Sequence, residues 1–141
     1  MAFVAGKGYK LKVNSIEVGP YMTNVSFALS KDALETTTMG DNARDYIEGL
    51  KGGTINLSGR WDGDASASDQ TFWNMYNTGG SYTFKLNPTG VTPNFTSTQP
   101  GYTGSMLITS YNSDTSFDGV ITFTAALQIS GTVTRDTSGA Y

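Results

Sequence analysis

Val120-Ile121-Thr122-Phe123-Thr124-Ala125-Ala126-Leu127-Gln128-Ile129-Ser130-Gly131-Thr132-Val133 is the longest regular stretch of this chain. Ile121, Phe123, Ala125, Leu127, Ile129 and Val133 share one parity, while Thr122, Thr124, Gln128 and Ser130 share the other. Successive side chains of a β-strand point to opposite faces, so this period of two predicts a strand buried on one side only. The pattern recurs outward from there. Tyr21, Thr23, Val25, Phe27 and Leu29 alternate with Met22, Asn24, Ser26, Ala28 and Ser30; Ile55, Leu57, Gly59 and Trp61 alternate with Thr54, Asn56, Ser58 and Arg60. Shorter runs occupy residues 9–13, 81–86 and 101–111. Five or more strands predict a mainly β domain, a β-sandwich or barrel.

Length and composition agree with a single domain. The 141 residues carry a net charge of −3, 15% charged and 12% aromatic residues, and Gly, Ser and Thr fill about a third of the chain. A chain of this size buries enough surface to need no metal or disulfide staple. With no Cys and no His, cysteine nucleophiles, Ser-His-Asp triads and thiolate or imidazole zinc sites are excluded. No apolar run reaches the length of a membrane span, and Met1 to Lys7 lacks the apolar centre of a signal peptide. The mild acidity is unlike the basic stripe of a nucleic-acid binder. The expectation is one soluble β domain over 1–141, with no cofactor, and with flexible arms at 1–7 and 134–141, where no pattern is visible.

One segment departs from the alternation. Ser66 followed three residues later by Asp69 reads as a helix start, and Asn77-Thr78-Gly79-Gly80 as its stop. Phe72, Trp73 and Tyr76 then lie at helical spacing, which predicts a short helix over about 67–77 that plugs the β core with an aromatic stripe. Residues 87–100, with Pro88, Pro93 and Pro100, predict an irregular surface loop.

A longer loop is expected at 31–53, between two good strands. It holds eight of the 21 charged residues together with Leu34, Met39, Tyr46, Ile47 and Leu50. A structureless connection of this length is uncommon inside a compact domain and is usually functional, and the apolar side chains call for a partner surface. The run from Asp32 to Leu50 contains Leu34-Glu35-Thr36-Thr37-Thr38-Met39-Gly40-Asp41, then Arg44, Tyr46 and Gly49-Leu50. It precedes Thr54-Ile55-Asn56-Leu57-Ser58-Gly59-Arg60-Trp61-Asp62-Gly63 and the helix start. In this order and spacing the chain resembles the major tail tube proteins of long-tailed bacteriophages, most closely over residues 20–80. Met39 stands where many members carry Phe.

The resemblance implies a β-sandwich with one flanking helix that assembles into rings, typically hexameric, which stack into a hollow tube delivering viral DNA to the host. It also implies partners: further copies of the chain, a tape-measure protein in the bore, and tail-tip and tail-terminator proteins, in a virion assembled in the host cytoplasm. The loop between the two inner strands is then the inter-ring contact, carried by Asp32, Leu34, Glu35, Met39, Asp41, Arg44, Asp45, Tyr46, Glu48 and Leu50. The polar strand faces, Asn24, Ser26, Asn56, Ser58, Arg60, Thr122, Thr124, Gln128 and Ser130, become candidates to line the channel. Such a lining is mostly hydroxyl and amide with one Arg per copy, which suits a conduit because a basic lining would bind DNA tightly.

Other readings compete with this one. A tube protein of a contractile injection system, a tail terminator or a head decoration protein would also self-associate. A carbohydrate-binding module would instead use Trp61, Trp73, Tyr76 and Tyr82 as a stacking platform, although their spacing places them more simply in the core. Asp62, Asp64 and Asp69 could form a cation loop, but they fit a turn followed by a helix start. Asp41, Asp45 and Glu48 lack any feature that would separate their pKa values for acid–base catalysis, so an enzyme is the weakest reading.

Overall fold

The computed structural model describes residues 5–141. Its strands are β1 (Lys10–Val13), β2 (Ile16–Glu17), β3 (Met22–Glu35), β4 (Tyr46–Arg60), β5 (Tyr82–Asn87), β6 (Gly101–Asp114) and β7 (Thr122–Asp136); the helix α1 (Ser68–Thr78) lies between β4 and β5. All seven strands form one antiparallel sheet in the order β2-β1-β5-β6-β7-β4-β3. The fold is therefore mainly β with one short helix, as expected, but the sheet is single and does not close into a barrel. It encloses a core by rolling. The Phe27 ring on edge strand β3 lies 6.3 Å from Phe84 of β5 and 5.3 Å from Tyr102 of β6, so strands far apart in the order face each other like two layers.

The inner face carries the residues the alternation selects: Ile55 and Leu57 of β4, and Phe123, Ala125, Leu127 and Ile129 of β7, are buried with Leu11, Val13, Phe84, Leu86 and Met106. Helix α1 fills one end of this core. Phe72 packs 5.2 Å from Phe123 and 6.1 Å from Tyr111 of β6. The Tyr111 hydroxyl donates to Asp69 at 2.7 Å; burial first, then this bond, raises its pKa. Ser68, fully buried, donates to the Arg60 carbonyl at 2.9 Å and accepts from the Asp62 amide at 3.0 Å, tying the helix start to the end of β4.

The helix differs from its sequence reading in two respects. Its stripe is Ser68, Thr71, Phe72 and Met75, whereas Trp73 and Tyr76 are half-exposed and stack on each other at 5.9 Å. Aromatic residues at helical spacing predict a buried stripe, but a helix of eleven residues presents only a narrow buried face, and Met75 rather than Tyr76 completes it. Trp61 is also partly exposed. The residue flanking the helix is Ala67, without a side-chain cap; the Ser66 amide instead donates to Gln70 Oε1 at 2.7 Å. Asp69 is occupied by Tyr111, and Asp62 accepts from the Asp64 amide at 2.9 Å in a turn.

The largest correction concerns 31–53. Only residues 36–45 lie outside strands, because β3 continues to Glu35 and β4 begins at Tyr46. The strands were hidden in the sequence because this ribbon is buried on neither face, so its side chains show no alternation. A bulge also intervenes: Lys31 pairs Lys51 but Ala33 pairs Glu48, leaving Gly49 and Leu50 opposite Asp32. A side chain at Gly49 would meet the Asp32 Cβ at 2.7 Å.

The segment 134–141 is likewise more structured than its lack of pattern implied. Thr134 to Asp136 complete β7, Ala140 bridges Asn94, and Tyr141 donates from its hydroxyl to Glu17 while Lys12 sits 4.4 Å over its ring. Tyr141 also packs against Phe95, a buried residue in the otherwise exposed 87–100 loop. Of the expected arm at 1–7, residues 1–4 lie outside the described residues, and Gly6–Gly8 forms a 3₁₀ turn. Among the described residues no helix is long and apolar enough to cross a membrane.

Replacing Phe72 with Ala removes the ring shared by α1, β6 and β7. We expect a loss of about 3–5 kcal/mol in urea unfolding, whereas Trp73→Ala should cost well under half of that.

Candidate functional site

Two surfaces hold the residues singled out by the sequence. The first is the outer face of β3, β4 and β7. Pairing registers place Asn24 opposite Ser58 and Ser58 opposite Thr124; Ser26 lies opposite Asn56, Arg60 opposite Thr122, and Gln128 opposite Thr54. The candidates Asn24, Ser26, Asn56, Ser58, Arg60, Thr122, Thr124 and Gln128 thus share one face, because cross-strand partners point the same way. All are exposed except the half-buried Ser58. Ser130 lies past the end of the β4–β7 ladder, opposite Ser105 of β6.

The face has a fourth strand that the sequence reading left out. Gln128 pairs Leu107, Ala126 pairs Ser110, Thr124 pairs Asn112 and Thr122 pairs Asp114, so Ser110 and Asn112 of β6 continue the polar rows. Their parity was masked by a bulge between Ile108 and Ser110, where Thr109 bonds the Ala126 carbonyl at 3.0 Å. The signal was present: inward residues change from even (Met106, Ile108) to odd (Tyr111) at this point. Across the four strands the only ionised side chains in these rows are Arg60 and Asp114, both toward one end.

Both sides of this four-stranded patch have free backbone edges. Strand β3 is the last in the sheet among the described residues. On the other side, β5 covers β6 only from Tyr102 to Met106, so Leu107 to Asp114 has β7 as its single strand partner among the described residues.

The second surface is the arm. Beyond Thr54, β4 loses β7 as a neighbour and pairs with β3 alone; Gln128 Nε2 bonds the Gly53 carbonyl at 2.9 Å where the strands part. There Gly131 takes φ +86°, a conformation that favours glycine, and β7 continues paired with β6 alone. The free ribbon carries Asp32, Leu34, Glu35, Tyr46, Glu48 and Leu50 on its strands and Met39, Asp41, Arg44 and Asp45 on its 36–45 tip. Lys31 pairs Glu48 at 3.3 Å and Arg44 lies 3.9 Å from Glu35. In the tip, the Thr38 amide donates to Asp41 at 2.7 Å and the Asp45 amide to Thr37 Oγ1 at 2.8 Å. Exposed Leu34, Met39, Tyr46, Ile47 and Leu50 make it a mixed charged and apolar surface of the kind that marks protein contacts.

A family model described as "Phage tail tube protein" matches residues 15–135. No curated protein sequence matches the chain. Among solved structures, it is similar to a chain from the tail of an empty gene transfer agent particle refined with C6 symmetry (TM-score 0.70, 13% identity, 83% of each chain covered). It is also similar to the SPP1 tail tube protein (TM-score 0.77, 17% identity, 96% of this chain and 80% of that one). A third likeness is to a chain of the sheath–tube complex of the extracellular contractile injection system PVC (TM-score 0.69, 12% identity, 96% and 92% covered).

A ribbon of two strands is at best marginally stable by itself. In the isolated subunit, amide hydrogens of residues 31–51 should therefore exchange at least ~100-fold faster than those of 122–129 in β7; comparable protection in both would show that the arm is packed.

Proposed function

The chain belongs to the phage tail tube protein family, and from that premise we propose that copies close into rings through the free edges of the four-stranded patch and stack into a tube whose bore is lined by its polar face. The chain is a structural protein of a tail tube. The observation that carries the finer reading is the pair of unsatisfied edges: β3 on one side and Leu107 to Asp114 of β6 on the other. Long exposed edges invite uncontrolled pairing, and ring closure removes them. Pairing β3 of one copy with β6 of the next would make the four strands of every copy part of one continuous barrel. The C6 symmetry of the similar gene transfer agent tail supports six copies per ring.

The lining would then be Asn24, Ser26, Asn56, Ser58, Thr122, Thr124 and Gln128, with Ser110 and Asn112, and one Arg60 and one Asp114 per copy. Hydroxyls and amides present no array of cations to release counterions from DNA, so the polymer passes without being held. A tape-measure protein before ejection, and tip and terminator proteins at the two ends, are the partners this role requires. In this reading the role is structural rather than catalytic. The arm, projecting beyond the core with Asp32, Leu34, Glu35, Met39, Asp41, Arg44, Asp45, Tyr46, Glu48 and Leu50, reaches the neighbouring ring. Its mixed charges set register more than affinity.

Two experiments test these assignments. Replacing residues 31–51 by Asn-Gly joins Ser30 to Gly52 by a tight turn. The variant should keep its far-UV spectrum and form no tubes in negative-stain microscopy; normal tubes would overturn the role of the arm. Because the chain has no cysteine, Thr124→Cys offers a unique label. In assembled tubes it should react with N-ethylmaleimide but not with a maleimide on a large polyethylene glycol, while the monomer reacts with both. Equal reaction of tubes with both reagents would place this face outside.

A further inference from the structure

At the root of the arm, where β4 leaves β7, lies an open groove of about 670 Å³. Its apolar lining comes from Leu29 of β3, Leu50 of β4, and Ile129 and Val133 of β7, and Lys31 and Lys51 also line it. The two lysines are direct cross-strand partners. Like charges directly opposite destabilise a strand pair. Glu48 meets Lys31 at 3.3 Å, whereas Lys51 has no ion-pair partner among the described residues. The groove thus combines apolar side chains with one unpaired lysine, Lys51.

The molecule also carries the converse shape. Between β6 and β7, the Gly119 amide bonds the Ser116 carbonyl at 3.3 Å, closing a turn with Phe117 and Asp118 at its centre. Phe117 is completely exposed, Val120 is more than half exposed, and Asp118 follows the ring directly in sequence. An exposed aromatic knob next to a carboxylate complements an apolar groove next to an unpaired lysine in polarity and charge. The match cannot be made within one chain. Ile129 and Val133 lie seven and eleven residues beyond Thr122 along β7, roughly 25–35 Å at the rise of a strand.

We propose that the 115–121 turn of one copy seats Phe117 in the Leu29–Leu50–Ile129–Val133 groove of a second copy, with Asp118 facing Lys51. Knob and groove are different surfaces, so the contact is head-to-tail and gives the assembly its polarity. The inference rests on the reading of the chain as a self-assembling tube subunit and adds a contact that neither the strand edges nor the arm tip supplies.

The test uses engineered cysteines in the full-length chain. Phe117→Cys, Leu50→Cys and the double variant are treated with a short bismaleimide at a concentration where wild type forms tubes. The double variant should give a covalent ladder, an equimolar mixture of the single variants only dimers, and each single variant alone no multimer. Separately, Phe117→Ser should raise the critical concentration for assembly at least about tenfold with an unchanged unfolding midpoint, since the ring is free in the monomer. The reversal Lys51→Glu should weaken assembly, and adding Asp118→Lys should restore it. Tubes that form normally without the Phe117–Leu50 cross-link overturn this contact and leave the tube reading standing. Cross-linking of a single variant to itself overturns it in favour of a symmetric contact. A wild type that stays monomeric throughout overturns both.

Discussion

The sheet of this protein has one apolar face, and that face has to leave water. Ile55, Leu57, Phe123, Ala125, Leu127 and Ile129 can be buried only if the sheet rolls until β3 faces β5 and β6, as the Phe27, Phe84 and Tyr102 rings show. Because a strand presents alternate residues to its two sides, burying this set necessarily turns Asn24, Asn56, Ser58, Thr122 and Thr124 outward together. The polar face is thus a geometric by-product of the core. Helix α1 closes the open end with Phe72 and Met75, and Tyr111 links it to β6 through both its ring and its hydroxyl.

Where that core stops, the architecture changes. Past Gly53 and Gln128 β4 no longer pairs with β7, and most of the ribbon of β3 and β4 runs on exposed. A ribbon that continues for six residues of β3 and seven of β4 without a core gains little stability within its own subunit. It carries Leu29, Leu34, Met39, Tyr46, Ile47 and Leu50 at exposed positions all the same. The same holds for Phe117 at the opposite end of β7. Exposed apolar side chains concentrated on projecting segments, together with two long strand edges free among the described residues, are the surfaces that the proposed ring closure and stacking would cover.

This explains why a chain can share its fold with tail tubes at 10–20% identity. The constraint is the alternation that buries one face and the lengths of the strands that overrun the core, and many sequences meet both. What a particular sequence specifies is the chemistry at the ends: which charges line the groove, which aromatic caps a turn, and how the arm tip is held by Thr37, Thr38 and Asp41.

The strands with a buried face were legible from the sequence, since period two in β4 and β7 directly reflects burial on one side. So were the polar rows, the helix and the family, whose motif lies in local order and spacing. Burial also set the limit of that reading. The outer halves of β3 and β4 bury neither face, so their strands left no alternation and read as a loop over 31–53. The bulges at Asp32 and Thr109 reverse parity without changing composition, which concealed Ser110 and Asn112. Trp73 and Tyr76 lie outside the core because the contact width of a single helix decides which turns are covered, and residue type alone does not. The ordering of 134–141 depends on Glu17 and Lys12, more than a hundred residues away. Local pattern records what a segment does with water on each of its sides. Which distant segment meets it, and where the core ends, is decided only when the sheet rolls.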